Sequence, residues 1–460
     1  MSTEAPSGQR DFWRLSLILC AVLAVVAVGL GAVGVVRGPD LAQASFAADR
    51  SVSAAGERLA LRSRLPIDEV DAGQVSISPA VPFTLSTRDS TLSITFSAPL
   101  SYATHYHVRV SGVRSRYTDT SADWSYSFDT PQVTLYSLIA HRDGVTDDTV
   151  VTGGDAPRTL LSAPGVDSYI ATRRHLVAVS HADADSSELV AVGLEDATRV
   201  AVRAPKVPLI TELGVSPDGS RFGYLVTGTD AETRDSYEGA LFIADAADLD
   251  AAPTQVQAGG GPLAVQEWLF VPGVNAVVVV TPQEKAFLIY LDGGTAPVPL
   301  GTVAQLVGFL PGSTMLLAQA GGKQVMLDLA RGRTTDVAGT ADPAEDTFAG
   351  RRAFRAPDDY LAEFNQFKRS GNTTAITTRL THVVGERSTD LLVVGERDGQ
   401  LLNSGLSPNG QFAWAVVLDP DAPLSDLSSG ASDNAETVIF DLATGKQVAA
   451  IPGSSPVWAP

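Results

Sequence analysis

Gly214-Val-Ser-Pro-Asp-Gly-Ser-Arg-Phe-Gly-Tyr-Leu-Val226 reads as the end of one short strand, a turn on Pro217, Asp218 and Gly219, and a second, alternating strand. Proline presets one backbone angle of a turn and glycine supplies a positive φ, so β-runs on either side of Ser-Pro-Asp-Gly predict a hairpin. Degraded copies recur at Leu269-Phe-Val-Pro-Gly-Val-Asn-Ala-Val-Val-Val-Val280, Gly308-Phe-Leu-Pro-Gly-Ser-Thr-Met-Leu-Leu317, Arg355-Ala-Pro-Asp-Asp-Tyr-Leu361 and Gly405-Leu-Ser-Pro-Asn-Gly-Gln-Phe-Ala-Trp-Ala-Val-Val417. A truncated copy is Pro456-Val-Trp-Ala-Pro460.

The turn prolines at 217, 272, 311, 357, 408 and 460 are spaced 55, 39, 46, 51 and 52 residues apart. Repeats of that size, each carrying several short strands, predict propeller blades. The blade after Pro217 continues through Gly239 to Ala244 and Thr254 to Gln257, and the blade after Pro408 through Glu436 to Asp441 and Lys446 to Ile451. Polar insertions, Thr229 to Glu238 and Asp419 to Asn434, fall at the same place in both. Upstream, Ser168 to Ser180 resembles the hairpin without its proline. Before it, Val133 to Ile139, Asp148 to Thr152 and Arg158 to Leu161 lack an innermost partner, and Pro456 to Trp458 is expected to supply one and close the ring. Seven blades are expected over 132–460, with six or eight as the margin. Ser-Pro-Asp-Gly and Ser-Pro-Asn-Gly followed by an aromatic strand resemble TolB-like and WD40-like β-propeller repeats, which implies a protein-binding role.

Between Arg58 and Pro131 the pattern changes to Leu59 to Arg62, Gln74 to Ser78, Thr91 to Phe96, Tyr106 to Val110 and Trp124 to Phe128. Alternating apolar and polar residues separated by turn residues predict an antiparallel sandwich over 58–131. Val75-Ser-Ile-Ser-Pro79, Pro99-Leu-Ser-Tyr-Ala-Thr-His-Tyr-His-Val-Arg-Val-Ser-Gly112 and Trp124-Ser-Tyr-Ser-Phe128 resemble the bacterial Ig-like domains of surface-layer and cell-wall proteins. That resemblance implies a spacer or adhesive module.

Leu15 to Val36 is an uncharged run rich in Leu, Val and Ala. Its length predicts a transmembrane helix over 15–36, and Arg10 and Arg14 before it predict a cytoplasmic tail at 1–14. A cleaved signal ending at Ala42-Gln-Ala44 is the rival reading. Residues 37–57, rich in small and turn-forming residues, read as a stalk. The expected fold class is therefore all-β apart from one N-terminal transmembrane helix, with an Ig-like sandwich followed by a propeller. The expected localisation is a single-pass membrane protein with the bulk of the chain extracytoplasmic.

The 460 residues contain 44% hydrophobic and 18% charged residues, ordinary values for globular protein. A formal charge of −19 argues against a nucleic-acid partner. Cys20 is the sole cysteine, so neither a disulfide framework nor a Cys-based metal site is possible within one chain. No Gly-x-Ser-x-Gly elbow, His-Glu-x-x-His motif, phosphate loop or dinucleotide fingerprint occurs. His105 and His107 alternate on one strand but lack a third ligand type nearby, so they read as surface residues. His141, Asp143, Asp147 and Asp148, and likewise Asp183 and Asp185, read as solvated turns, since a dedicated calcium loop is not reproduced. Trp268, Trp414 and Trp458 read as packing between blades.

No catalytic, cofactor-binding or metal residue is assigned, and no cofactor is expected. The expected function is a membrane-anchored, extracytoplasmic, non-enzymatic scaffold whose propeller binds an envelope component, most simply a protein. The alternative is a propeller hydrolase or lyase acting on a cell-wall or extracellular glycan.

Overall fold

A computed structural model describes residues 38–141, 146–153, 157–183, 186–337, 347–370, 373–395, 397–422 and 432–460. The chain divides into two compact units. One comprises residues up to Ala47, Glu57–Phe96 and His105–Asp129; the other comprises Ala48–Gly56, Ser97–Thr104 and Thr130–Pro460.

In the first unit, Leu41–Ser45, Arg58–Ser63, Thr91–Phe96 and Phe83–Arg88 form one antiparallel sheet, in that order. Val75–Ser78, His105–Arg114 and Ser121–Asp129 form a second. Alternation does the sorting. Tyr106, Val108 and Val110 are buried while His105, His107 and Arg109 between them are exposed. Leu59, Leu61, Leu92, Ile94 and Trp124 complete the core. The stretch read as a stalk is partly built into this unit. Leu41–Ser45 pairs with Arg58–Ser63, the Phe46 ring lies 4.4 Å from Phe128, and Trp124 Nε1 donates to the Pro39 carbonyl at 2.6 Å.

The second unit contains, among the described residues, seven four-stranded antiparallel sheets and one two-stranded pairing, Gln257–Ala258 with Gly261–Pro262. The first blade is Leu135–Ile139, Asp148–Thr152 and Thr159–Ala163, with Ser454–Trp458 as its innermost strand. The second is Val166–Ala171, His175–Asp183, Ser186–Gly193 and Arg199–Val200; the third is Leu209–Val215, Arg221–Thr229, Ser236–Asp245 and Thr254–Gln255. The fourth is Glu267–Phe270, Ala276–Val280, Lys285–Tyr290 and Val298–Thr302; the fifth is Gln305–Phe309, Met315–Ala320, Lys323–Asp328 and Arg333–Asp336. The sixth is Thr347–Ala356, Asp359–Ser370, Thr373–Val384 and Arg387–Gly395; the seventh is Gln400–Leu406, Phe412–Leu418, Ala435–Asp441 and Lys446–Pro452.

Each blade buries both faces, because alternate side chains of a strand point to opposite neighbours. In the third blade Phe222, Tyr224 and Val226 pack with Ile170, Val177 and Val179 of the second. Leu225, Leu241 and Ile243 pack with Trp268, Phe270 and Val277 of the fourth. Equivalent cores join the first and second blades through Tyr136 and Tyr169, the fourth and fifth through Val278 and Leu316, and the fifth and sixth through Leu317 and Phe354. Leu380 meets Phe440 between the sixth and seventh, and Ile439 meets Leu135 between the seventh and the first. Seven interblade cores for seven sheets make a closed ring, so this unit is a β-propeller.

The expected fold class needs correction. The transmembrane helix at 15–36 and the tail at 1–14 lie outside the described residues. The helical segments among the described residues are the three-residue 3-10 turns Ala48–Arg50 and Ala72–Gln74. No described helix is long and apolar enough to cross a membrane. The described residues are all-β, and the single-pass localisation, which rested on that helix, is corrected with it.

Candidate functional site

The repeated turn explains how the blades hold their inner strands. Ser216 Oγ donates to Asp218 Oδ1 at 2.7 Å and accepts from the Arg221 amide at 3.0 Å. The Gly219 amide returns to the Ser216 carbonyl at 2.7 Å, with Gly219 at φ 64°. The second full copy repeats this: Ser407 Oγ donates to Asn409 Oδ1 at 2.9 Å and accepts from the Phe412 amide at 3.0 Å, with Gly410 at φ 69°. In these two copies serine and Asx together satisfy turn amides that no strand reaches. The leading glycines have a different role. A Cβ on Gly214 would stand 3.0 Å from the Trp268 ring, and one on Gly405 2.7 Å from the Trp414 ring.

The innermost strands border the centre of the ring, and six of the seven are bulged; that of the fourth blade is regular. The bulges fall at Asp167, at Glu212 and Leu213, at Val307, at Gly350 and Arg351 and again at Arg355, at Leu402, and at Ser455 and Pro456. A bulge takes a residue out of the ladder and re-aims its side chain. The backbone groups so released find partners on neighbouring blades. Trp268 Nε1 donates to the Glu212 carbonyl at 2.9 Å, and Tyr169 Oη donates to the Ser455 carbonyl at 2.7 Å. Beside the Val307 bulge, the Leu306 amide donates to Glu267 Oε2 at 2.6 Å.

Charge is unevenly distributed around this rim. On the second to fourth blades, burial, then the charges of Glu267 and Asp167, push the Glu212 carboxyl above the usual carboxylate range. On the sixth blade stand Arg351 and Arg352. Arg351 donates to Asn403 Oδ1, and Arg352 donates to Gln324 Oε1 at 2.6 Å while its guanidinium carbon lies 5.4 Å from the centre of the Phe354 ring.

Next to these arginines a cavity of about 810 Å³ opens among the innermost strands of the fifth, sixth and seventh blades. Gln305, Val307, Gly308, Gly350, Arg351 and Gly405 are among its lining residues. Each of the three adjacent inner strands carries a glycine in the lining: a Cβ on Gly308 would meet open space, one on Gly350 would meet the Glu363 side chain at 3.1 Å, and one on Gly405 the Trp414 ring.

The residues weighed from sequence are placed elsewhere. Exposed His105 and His107 bond to Asp129 at 2.8 Å and to Ser127 at 2.8 Å across the sandwich sheet. Asp148 is buried, contrary to the reading of a solvated turn: its carboxylate accepts from the His141 amide at 2.6 Å and the Val166 amide at 2.7 Å. Asp143, Asp185 and the side chain of Asp183 lie outside the described residues. No group of three metal-ligating side chains occurs among the described residues. Trp268 sits in the core between the third and fourth blades, and Trp458 and Trp414 beside that between the seventh and first.

Sequence reading missed the bulges and a second turn device. Asp245, Asp292, Asp328 and Asp441 lie at or just after the ends of the third strands of their blades, and their carboxylates accept from amides two or three residues on. The signal was the repeated pair of an apolar residue and aspartate at the ends of these four third strands.

No family model matches the sequence. No curated protein matches it. Among solved structures, the chain is similar to a prolyl endopeptidase studied for inter-domain dynamics in catalysis and specificity, with 11% identity and a TM-score of 0.47 over 70% of this chain and 50% of that one. This chain thus spans half of that enzyme's length. It is also similar to the Cps50 (Swd1) β-propeller domain of Myceliophteria thermophila, with 12% identity and a TM-score of 0.37 over 64% of this chain and 87% of that one. The RRP9 WD40 repeats give 9% identity and a TM-score of 0.38 over 69% and 83%. Likenesses this distant carry no weight for family or activity. The propeller rests on sheet order and the seven interblade cores.

Proposed function

We propose that the propeller is a non-enzymatic binding module that takes an extended polypeptide segment into the cavity bordered by Gln305, Gly350 and Gly405. The observation that carries this reading is the set of bulged, glycine-containing inner strands on the fifth, sixth and seventh blades. Strand edges with bare backbone offer donors and acceptors at the spacing of another extended chain. Gln305, Gln319 and Gln324, which also line the cavity, add side-chain amides of the same chemistry. A glycan hydrolase of the usual kind would use paired carboxylates facing the cavity, and its described lining contains none. The sandwich, on its resemblance to bacterial Ig-like modules, is assigned a spacer role.

The test is to pan a random heptapeptide display library against the full chain. Enriched peptides should compete for one site and lose binding to Val307→Trp, which fills the cavity from a half-exposed position. Peptides that bind that variant as well as the parent, or release of fragments from dyed polysaccharide by the parent, would sink the proposal.

A further inference from the structure

The cavity lining runs against the charge of the chain. The whole sequence carries −19, yet the described lining of the 810 Å³ cavity contains Arg351 and Arg352 and no carboxylate. Asp167, Glu212 and Glu267, the carboxylates of the inner strands of the second to fourth blades, are not among its lining residues.

The two arginines are not equivalent. Arg352 is half-buried, bonded to Gln324 and placed against the Phe354 ring, so packing fixes its direction. Arg351 is exposed at the bulge of the sixth blade, where it donates to the neutral amide oxygen of Asn403. No ion pair to Arg351 occurs among the described residues. A guanidinium has five N–H donors, and one bond to an amide leaves both its charge and most of those donors for an incoming anion. Asn403 Oδ1 also accepts from the Ser404 amide at 2.9 Å, so the group that positions Arg351 is itself held by the backbone.

Around Arg351 the remaining polar side chains of the lining are the amides of Gln305, Gln319 and Gln324, which suit the neutral parts of a ligand, and two serine hydroxyls already engaged, Ser404 donating to Glu363 Oε1 at 2.7 Å and Ser407 to Asn409 Oδ1 at 2.9 Å. We infer that this cavity selects acidic polypeptide segments, with the Arg351 guanidinium taking an aspartate or glutamate carboxylate while the bared strand edges hold the adjoining backbone. This inference rests on the polypeptide-binding reading above and adds the charge of the partner.

The experiment measures binding of three end-blocked probes, tetraglutamate, tetraglutamine and tetralysine, to the full chain by isothermal titration, with tetragalacturonate as an acidic glycan control. Tetraglutamate should bind most tightly of the four. Arg351→Gln should weaken it by about tenfold or more, the worth of a charge-assisted hydrogen bond, and weaken tetraglutamine by a clearly smaller factor. Arg351→Lys should restore part of the loss, and added salt should weaken tetraglutamate on the parent more than on Arg351→Gln. Matching thermal unfolding of the variants and parent excludes a folding defect as the cause.

Equal binding of the three peptides, or an unchanged tetraglutamate affinity in Arg351→Gln, overturns the acidic selection while leaving polypeptide binding standing. Tetragalacturonate binding more tightly than any peptide, or binding of none of the four, overturns both.

Discussion

The indole of Trp458 lies parallel to the ring of Phe412, with centres 5.8 Å apart and planes 10° off parallel. Trp458 belongs to the strand that completes the first blade and Phe412 opens the second strand of the seventh, so the stack lies across the closure of the ring. Tyr102 lies against both, 6.1 Å from Trp458 and 6.2 Å from Phe412. Its amide donates to Gln411 Oε1 at 2.7 Å. Closure is therefore held by a segment far upstream as well as by strand pairing.

Removing the indole should open that seam. Trp458→Ala is expected to cost about 2–4 kcal/mol, a partly buried instance of an aromatic-to-alanine loss. Urea unfolding measures it, and a change below about 0.5 kcal/mol, the usual size for a surface site, would exclude a role in closure.

Tyr102 makes the opposite prediction when only its hydroxyl is removed. The Tyr102 Oη atom is buried and has no hydrogen-bond partner among the described residues. Burying a hydroxyl without a partner costs about 1–3 kcal/mol. Tyr102→Phe keeps the ring and removes the cost, so it should raise the unfolding midpoint. A lower midpoint would mean that the hydroxyl has a partner, such as a buried water.

Asp218 and Asn409 occupy the same place in two copies of one turn and differ for a physical reason. Asn409 Nδ2 donates to the Leu100 carbonyl at 3.0 Å, which a carboxylate cannot do, whereas Asp218 Oδ2 accepts from Arg173 at 2.9 Å. Asn409→Asp should thus destabilise by about 1–3 kcal/mol, by removing a donor and setting a negative charge against a carbonyl. For Asp218, burial pushes its carboxyl up, but bonds from Ser216 and Ser220 and the charge of Arg173 outweigh that and hold it below the usual range. A depressed carboxyl contributes stability above its unfolded pKa and loses it as pH falls through its folded one. The advantage of the parent over Asp218→Asn should then be present at neutral pH and vanish on acidification. A pH-independent difference in urea midpoints would contradict that origin.

The turns were legible because their chemistry is local. Ser216, Asp218, Gly219 and Ser220 satisfy one another within a few residues, so the pattern survives in the bare sequence. The hydrophobic alternation that marks strands is local too, and it pointed to a β-propeller. The bulges were not legible, because one extra residue such as Val307 displaces a single side chain in a five-residue strand and leaves its composition unchanged. The cavity was hidden for the same reason: Gln305, Arg351 and Gly405 lie up to a hundred residues apart and meet only when the ring is closed. Residues 48–56 and 97–104 looked like stalk and sandwich loop, since Leu100 and Tyr102 reveal their partners only through long-range contacts with Asn409 and Gln411.

The leading glycine of the repeat gives a steric prediction. Gly405 has no special backbone angle, yet a Cβ there would approach the Trp414 ring to 2.7 Å. Gly405→Ala should therefore cost about 1–3 kcal/mol through overpacking. The double variant Gly405→Ala with Trp414→Phe should recover part of it, because the smaller ring withdraws from the site. A double variant no better than the sum of the singles would remove the Trp414 contact as the cause.

Glu212 gives a pH prediction of opposite sign to Asp218. It sits in a bulge at φ 50°, with its carbonyl fixed by the Trp268 indole, and its carboxyl is pushed up by burial and then by Glu267 and Asp167. A carboxyl whose folded pKa lies above its unfolded one favours the native state at low pH, and this contribution is lost as pH rises through the folded pKa. At neutral pH the ionised group therefore works against the fold. Glu212→Gln keeps the length of the side chain and the backbone bond to Trp268 while removing the charge. The variant should be more stable than the parent at pH 7, the difference should shrink with added salt, and it should disappear below about pH 4, where the parent is protonated in both states. Urea midpoints across that range decide it: a variant no more stable at pH 7, or one equally ahead at pH 3.5, would show that its surroundings do not hold the Glu212 carboxyl up.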